Sequence, residues 1–219
     1  MRKSISYAIT VCNEAEELDR LLSHLSHYVQ AGDEVVVQAD TDHVTDKVQE
    51  VVKSHAALIA RYATHPLRFD FAQAKNHLNN LCNGEYIFQL DADELPHPQL
   101  LMHLQDILHR HPLIELFKFP RINYLLDTAT YLSAITDYTT ISAERIAWPD
   151  YQGRLYKNRP RRIRWHRPLH ERIRGHILYL HLPKRDEYAI IHLKAKEQDA
   201  AKWAEWRKQM DATPSETSL

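Results

Sequence analysis

The sequence predicts an α/β fold: a mostly parallel central sheet flanked by helices, followed by a smaller mixed-sheet region. Three observations carry this reading. Short apolar, β-branched segments alternate with amphipathic segments through residue 96, the pattern of βαβ units. The run Tyr86-Ile87-Phe88-Gln89-Leu90 reads as a buried strand and ends in Asp91-Ala92-Asp93-Glu94, three acids in four positions. After Arg121 the alternation gives way to short strands punctuated by Pro, Asn and Gly.

Taken in order, Ile5–Val11 is a buried strand. Glu14–Tyr28 is a helix, with Leu18, Leu21, Leu22, Leu25 and Tyr28 on one stripe and Glu14, Glu16 and Glu17 in its first turn. Gly32-Asp33 turns the chain into a second strand, Glu34–Gln38. Val44–His55 is a helix with Val44, Val48, Val51 and Val52 on one face. Ala57–Tyr62 is a strand, Phe71–Leu81 a helix and Glu85–Leu90 a strand. Leu95-Pro96 stops that strand, and His97–His109 is the next helix. Ile114–Pro120 is a further strand. Gly153–Lys157, Arg161–Trp165, Leu169–Arg174 and Glu187–Leu193 are the later ones. Lys194–Met210 closes as a helix and Asp211–Leu219 is a polar tail. We expect one domain, 1–219, with a ligand-binding half (1–96), a second half (97–212) and the tail.

The composition narrows the class. A hydrophobic fraction of 44% is ordinary for a globular chain, and a formal charge of −1 singles out no partner. Two cysteines, Cys12 and Cys82, exclude a disulfide scaffold or zinc ribbon and fit a reducing, cytoplasmic compartment. No apolar run is long enough for a signal peptide or membrane span. Four glycines, Gly32, Gly84, Gly153 and Gly175, rule out a Gly-rich phosphate loop.

The acids Asp91, Asp93 and Glu94 fall at the C-terminal end of a strand, where open α/β sheets bind ligands. In an extended segment Asp91 and Asp93 leave the same face. Paired carboxylates repel unless a cation joins them, and hard oxygen ligands suit Mg²⁺ or Mn²⁺. The bland alternative is an acidic turn with Asp capping the following helix.

Three further segments accompany that one. Thr10-Val11-Cys12-Asn13-Glu14 closes the first strand. Gln38-Ala39-Asp40-Thr41-Asp42 closes the second. Asp70-Phe71-Ala72-Gln73-Ala74-Lys75-Asn76 opens the helix before the acidic strand. In this order the set resembles the family 2 glycosyltransferases of GT-A fold, over residues 5–96 and again through Trp148–Asn158 and Leu169-His170-Glu171. The resemblance implies transfer of a sugar from a nucleotide diphosphate sugar, by default a UDP-sugar, to an acceptor hydroxyl of a glycan or glycoconjugate. It implies inversion at the anomeric carbon and a Mn²⁺ or Mg²⁺ cofactor that neutralises charge on the leaving diphosphate.

By the same resemblance Asp93 is a direct metal ligand, and Asp91 contacts the ribose, or the metal through water. Lys75 meets the diphosphate or donor sugar, its bland alternative being a solvated helix lysine, while Thr10, Cys12, Glu14 and Ala92 line the nucleotide site. Gln38 stands where the family often has an acid touching the base, with Asp40 two residues on. An amide donates and accepts, so Gln38 is able to read a uracil edge. His192 is the implied third metal ligand, and imidazole favours Mn²⁺. Glu171 is the implied catalytic base, with Asp150 as runner-up.

Arg154–Arg174 holds nine Lys/Arg and one acid, Glu171. Either its arginines form a solvated sheet face or some line a phosphate groove, and Tyr151, Tyr156 and Trp165 either stack on sugars or belong to the core. Two rival functions follow. A nucleic-acid-binding protein would use the basic stripe but has no need of the clustered acids. A nucleotidylyltransferase would usually carry a Gly-rich, basic loop after the first strand, which Thr10–Glu14 is not.

Overall fold

A computed structural model describes residues 2–136, 141 and 143–196. The alternation is borne out. Strand β1 (Ile5–Val11), helix α1 (Ala15–Ser26), β2 (Glu34–Asp40), α2 (Asp46–Ser54), β3 (Ile59–His65), α3 (Phe71–Asn80) and β4 (Tyr86–Asp91) follow one another as expected. The 7-stranded sheet also takes β6 (Leu116–Phe119), β9 (Gln152–Lys157) and β12 (Tyr179–His181), in the order β12-β6-β9-β4-β1-β2-β3. Only β9 runs against its neighbours β4 and β6.

Local chemistry explains the helix ends. Thr45 accepts from the Val48 amide and starts α2 at Asp46, inside the expected Val44. Asp70 accepts from the Gln73 amide at 2.8 Å and starts α3. On α1 the stripe Leu18, Leu21, Leu22 and Leu25 is fully buried, each side chain contributing about 1.5–3 kcal/mol.

The second half holds elements that periodicity did not show. A 4-stranded mixed sheet has the order β5-β13-β7-β8, from β5 (Glu94–Pro96), β13 (Ile190–Ala195), β7 (Arg121–Leu126) and β8 (Arg145–Ile146). Helix α4 (Pro98–Arg110), expected as His97–His109, follows β5. Helix α5 (Thr128–Thr136) was not expected from its β-branched sequence. Asp127 caps it through the Thr130 amide and hydroxyl, and Tyr131 and Ala134 are buried. The Tyr131 hydroxyl donates to Glu17 of α1. Cap and tertiary burial thus override propensity.

A two-stranded hairpin, β10 (Arg164–His166) and β11 (Arg172–Arg174), packs on α3. Both strands start later than expected: the Arg162 and Ile163 amides donate to the Arg159 carbonyl in a turn that delays β10, and His170 takes positive φ in the bend that delays β11. Residues Asp186–Tyr188 form a 3-10 turn, so the expected strand Glu187–Leu193 becomes β13. Of the expected closing helix, Lys194 and Ala195 belong to β13, while 197–219 lie outside the described residues.

Both larger sheets feed one apolar cluster, which joins Ile9, Phe88 and Leu90 to Leu95, Leu126, Ile191 and Leu193. A second cluster joins Leu78 of α3 to Tyr156, Trp165 and Ile173. Among the described residues, no helix is long and apolar enough to cross a membrane.

Candidate functional site

The C-terminal ends of β4, β1 and β2 lie side by side, which puts Asp91, Thr10 and Gln38 in one row. The Thr10 hydroxyl donates to Asp91 at 2.8 Å, and the Thr10 carbonyl accepts from the Ala92 amide. Lys75, on the inner face of α3, is buried, not a solvated helix lysine. Its ammonium lies 3.1 Å from Asp91 and 2.8 Å from Glu171, and 4.8 Å from the centre of the Trp165 ring. Glu171 comes from the bend between β10 and β11, 96 residues from Lys75.

Arg154, on β9, is the other counter-ion of Asp91, at 2.9 Å, and also binds Glu94. Burial alone would raise the Asp91 pKa. The charges of Lys75 and Arg154 and the Thr10 hydrogen bond outweigh it and hold the carboxyl well below the usual range. Glu94 is fully buried and also accepts from Arg121 at 3.0 Å. Arg121 grips Asp150 at 2.7 and 2.9 Å, and Asp150 accepts as well from Asn123 and Gln152. Burial would raise the Asp150 pKa, but the Asn123 hydrogen bond and the Arg121 charge lower it.

On β13, His192 stands opposite Asn123 of β7 and Glu94 of β5. Its Nδ1 is 2.9 Å from the Asn123 oxygen, and its Nε2 is 3.0 Å from Asp93 Oδ2. An unbroken line of contacts therefore runs from Glu171 through Lys75, Asp91, Arg154, Glu94, Arg121, Asp150, Asn123 and His192 to Asp93.

Several expected placements change. Ala92 and Asp93 form a turn, not an extended strand, so Asp91 and Asp93 do not share a face. Asp91 turns to Lys75 and Arg154, and Asp93 turns to His192. Among the described residues no group of three His, Cys, Asp or Glu side chains gathers as a metal cage, so Asp91, Asp93 and His192 do not converge as expected. Asp93 and His192 are 3.0 Å apart, which is a hydrogen-bond distance and also the separation of adjacent octahedral corners with ligands at about 2.1 Å.

Gln38 is buried, donates to the Ala74 carbonyl and accepts from His77, so both ends of its amide are engaged away from any base. Asp40 does stand at the end of β2, held by His43 and the Leu67 and Asp42 amides. Cys12 Sγ reaches Asp40 at 3.9 Å, and Glu14 accepts from the Cys12 and Asn13 amides, shaping the β1–α1 turn.

The basic stripe divides. Arg154 is buried in the site, Arg159 and Arg162 bind Glu115, and Arg164, Arg172 and Arg174 form a solvated hairpin face around buried Trp165 and Ile173. Tyr156 and Trp165 are core residues linked by a hydrogen bond, and Tyr151 stacks on His181. A cleft of about 620 Å³ opens beside α3, and its walls contain none of Asp91, Asp93, Glu171 or His192. Arg121 and Asn123 are site residues that the sequence does not mark, because no periodic strand pattern covers them, and Arg154 is marked only as one arginine of the basic stripe.

No curated protein matches the sequence. Similar solved structures include residues 1–349 of S. aureus TarS, at 13% identity over 92% of this chain and 63% of that one, TM-score 0.56. Glucosyl-3-phosphoglycerate synthase of Mycobacterium tuberculosis, solved with Mn²⁺ and UDP, shares 16% identity over 71% of this chain and 57% of its own, TM-score 0.48. A Pyrobaculum calidifontis mannosyltransferase, solved with GDP-Man and Mn²⁺, shares 19% over 62% and 39%, TM-score 0.45. The chain thus spans less than two thirds of each. The likeness to TarS extends over nearly all of this chain and shows the same GT-A fold. The family model described as Glycosyl transferase family 2 matches residues 6–183, from the first strand past the hairpin that carries Glu171, and the chain belongs to that family.

Proposed function

We propose that the protein is a metal-dependent, inverting glycosyltransferase moving a sugar from a nucleotide diphosphate sugar, with UDP the default carrier, to an acceptor hydroxyl. The observation that carries this is the pairing of Asp93 with His192 at the end of the acidic strand, beside the Asp91–Lys75–Glu171 cluster. Asp93 and His192 would hold Mn²⁺ or Mg²⁺, with Mn²⁺ favoured by the imidazole. Two protein ligands suffice where substrate phosphates and water complete the shell. A cation there would supply positive charge against the leaving diphosphate.

Thr10, Cys12, Glu14, Asp40 and Ala92 shape the nucleotide end, and Lys75 meets the diphosphate. Asp91 holds Lys75 and Thr10 in place. Glu171 takes the proton of the acceptor hydroxyl as its oxygen attacks the anomeric carbon. The bond from that carbon to the diphosphate oxygen breaks, and its electron pair leaves with the diphosphate. Glu171 is preferred to Asp150 because the Asp150 carboxylate is filled by Arg121, Asn123 and Gln152. The shared apolar cluster supports reading the donor half, 1–96, and the acceptor half, 97–212, as one unit.

The test is a thermal shift with UDP, with and without Mn²⁺. At nucleotide about 100 times its Kd, binding adds about 2.7 kcal/mol. We expect that gain only with metal, and we expect Asp93→Ala to abolish it while the free protein melts normally. A metal-independent shift, or an unchanged one in Asp93→Ala, refutes the metal-dependent reading.

A further inference from the structure

We propose that Asn123, held in orientation by Asp150, is a positioning residue. It fixes His192 with the hydrogen on Nδ1 and so presents bare Nε2 beside Asp93 as the cation-binding atom. This rests on the metal-dependent reading above and adds residues outside the candidate ligand set.

The orientation of the Asn123 amide follows from its surroundings. Its nitrogen donates to Asp150 Oδ2 at 3.0 Å and, more distantly, to the Ile146 carbonyl at 3.4 Å. The reverse orientation would set the amide oxygen against a carboxylate and a carbonyl, three acceptors with no hydrogen among them. Asp150 cannot turn away to relieve that. Its Oδ2 is forked by Arg121 Nε and Nη2 at 2.9 and 2.7 Å, and its Oδ1 accepts from Gln152 at 2.8 Å. Arg121 is anchored in turn on the fully buried Glu94.

With its nitrogen so committed, Asn123 offers an oxygen to His192 Nδ1 at 2.9 Å. An oxygen there requires Nδ1 to carry the hydrogen. The strand register adds to this, because Asn123 is the direct partner of His192 in the β7–β13 pair. The other ring nitrogen then faces Asp93 Oδ2 at 3.0 Å. A lone pair against a carboxylate is repulsive unless a proton or a metal cation lies between them. His192 is 6% exposed and the Asp93 side chain 27%, so the pair is open to solvent on the acid's side. Without Asn123 the neutral ring would place its hydrogen on Nε2 and donate to Asp93, which blocks the ligand atom. Hydrogen-bond partners of this kind typically govern about 10–100-fold in metal affinity.

Two measurements on the full chain test this. The first is a long-range ¹⁵N–¹H correlation spectrum of ¹⁵N-histidine-labelled protein without metal, with His192 assigned through His192→Gln. The expected neutral ring carries its hydrogen on Nδ1, and moves it to Nε2 in Asn123→Leu. A neutral wild-type ring with its hydrogen on Nε2 overturns the proposal whatever the variants do. The second is Mn²⁺ affinity by electron paramagnetic resonance with UDP present throughout, expected to fall about 10–100-fold in Asn123→Leu with the melting profile retained. Wild-type protein that binds Mn²⁺ while Asn123→Leu binds it equally overturns this inference alone. Wild-type protein that binds no Mn²⁺ overturns the metal-dependent reading and this inference with it.

Discussion

At the residue scale, charge is placed by pairing. Arg154 is 4% exposed and serves both Asp91 and Glu94. Removing one partner of a buried pair leaves the other uncompensated, at a cost of about 3–5 kcal/mol. Arg154→Met keeps the length of the side chain and loses the charge. We expect urea denaturation to show a loss of about that size; a change under about 1 kcal/mol would make the pair a surface-like one. Glu171 has a different task. Glu171→Gln keeps its shape and its place beside Lys75 but cannot accept a proton. We expect transfer to slow by about 10²–10⁴-fold with nucleotide affinity near wild type. Near-normal transfer would make Glu171 structural. A collapse of nucleotide affinity would move it to the donor side, which its 2.8 Å contact with Lys75 makes the sharper of the two comparisons.

At the element scale, the β10–β11 hairpin decides whether Glu171 reaches Lys75. The hairpin packs on α3 through Trp165, whose backbone amide and carbonyl both bond to the Asn76 side chain. Its far end depends on Gly175, which has φ +86° and whose missing Cβ would lie 1.8 Å from the Arg162 carbonyl oxygen. Gly175→Ala therefore meets a backbone clash of the overpacking kind, about 1–3 kcal/mol, and a left-handed penalty of about 1–2 kcal/mol. We expect a lower melting temperature and weaker transfer, because the strand after Glu171 must shift. An Ala variant with wild-type stability would mean the hairpin relaxes freely there. The β5–β13–β7 pairing plays the same part for the other end of the site, since its register alone sets His192 against Asn123 and Glu94.

At the scale of the molecule, the pattern of shifted groups predicts sensitivity to acid in two stages. Burial lowers the pKa of His24, whose ring contacts the Pro96 carbonyl, and of His97. The unfolded chain therefore binds protons that the folded one refuses, and stability is lost as pH falls below about 6.5. Asp40, Asp91 and Asp150 are lowered as well, so their contribution is lost in a second stage below about 4. Melting temperature against pH should be flat near neutrality and fall through both windows. A melting temperature that rises on going from pH 7 to about 5 would contradict the first stage.

The sequence by itself determined the sheet-and-helix alternation of residues 5–110 and the place of the acids at the end of β4. Apolar periodicity and strand-end position are local properties, readable from one stretch of chain at a time. It also made His170-Glu171 and His192 visible through the order of motifs. Only the tertiary structure decided which acids act together. Asp91 and Asp93 are two residues apart, yet a turn sends one to Lys75 and Arg154 and the other to His192, 99 residues away. Gln38 likewise has the chemistry to read a base, but packing against α3 engages both ends of its amide. Arg121 and Asn123 fall in a stretch with no periodic pattern, and Arg154 is one of a basic stripe that the sequence leaves open between a solvated face and a phosphate groove. A buried ion pair leaves no period in the sequence, because its partners come from different elements and meet only through the register of strands far apart in the chain.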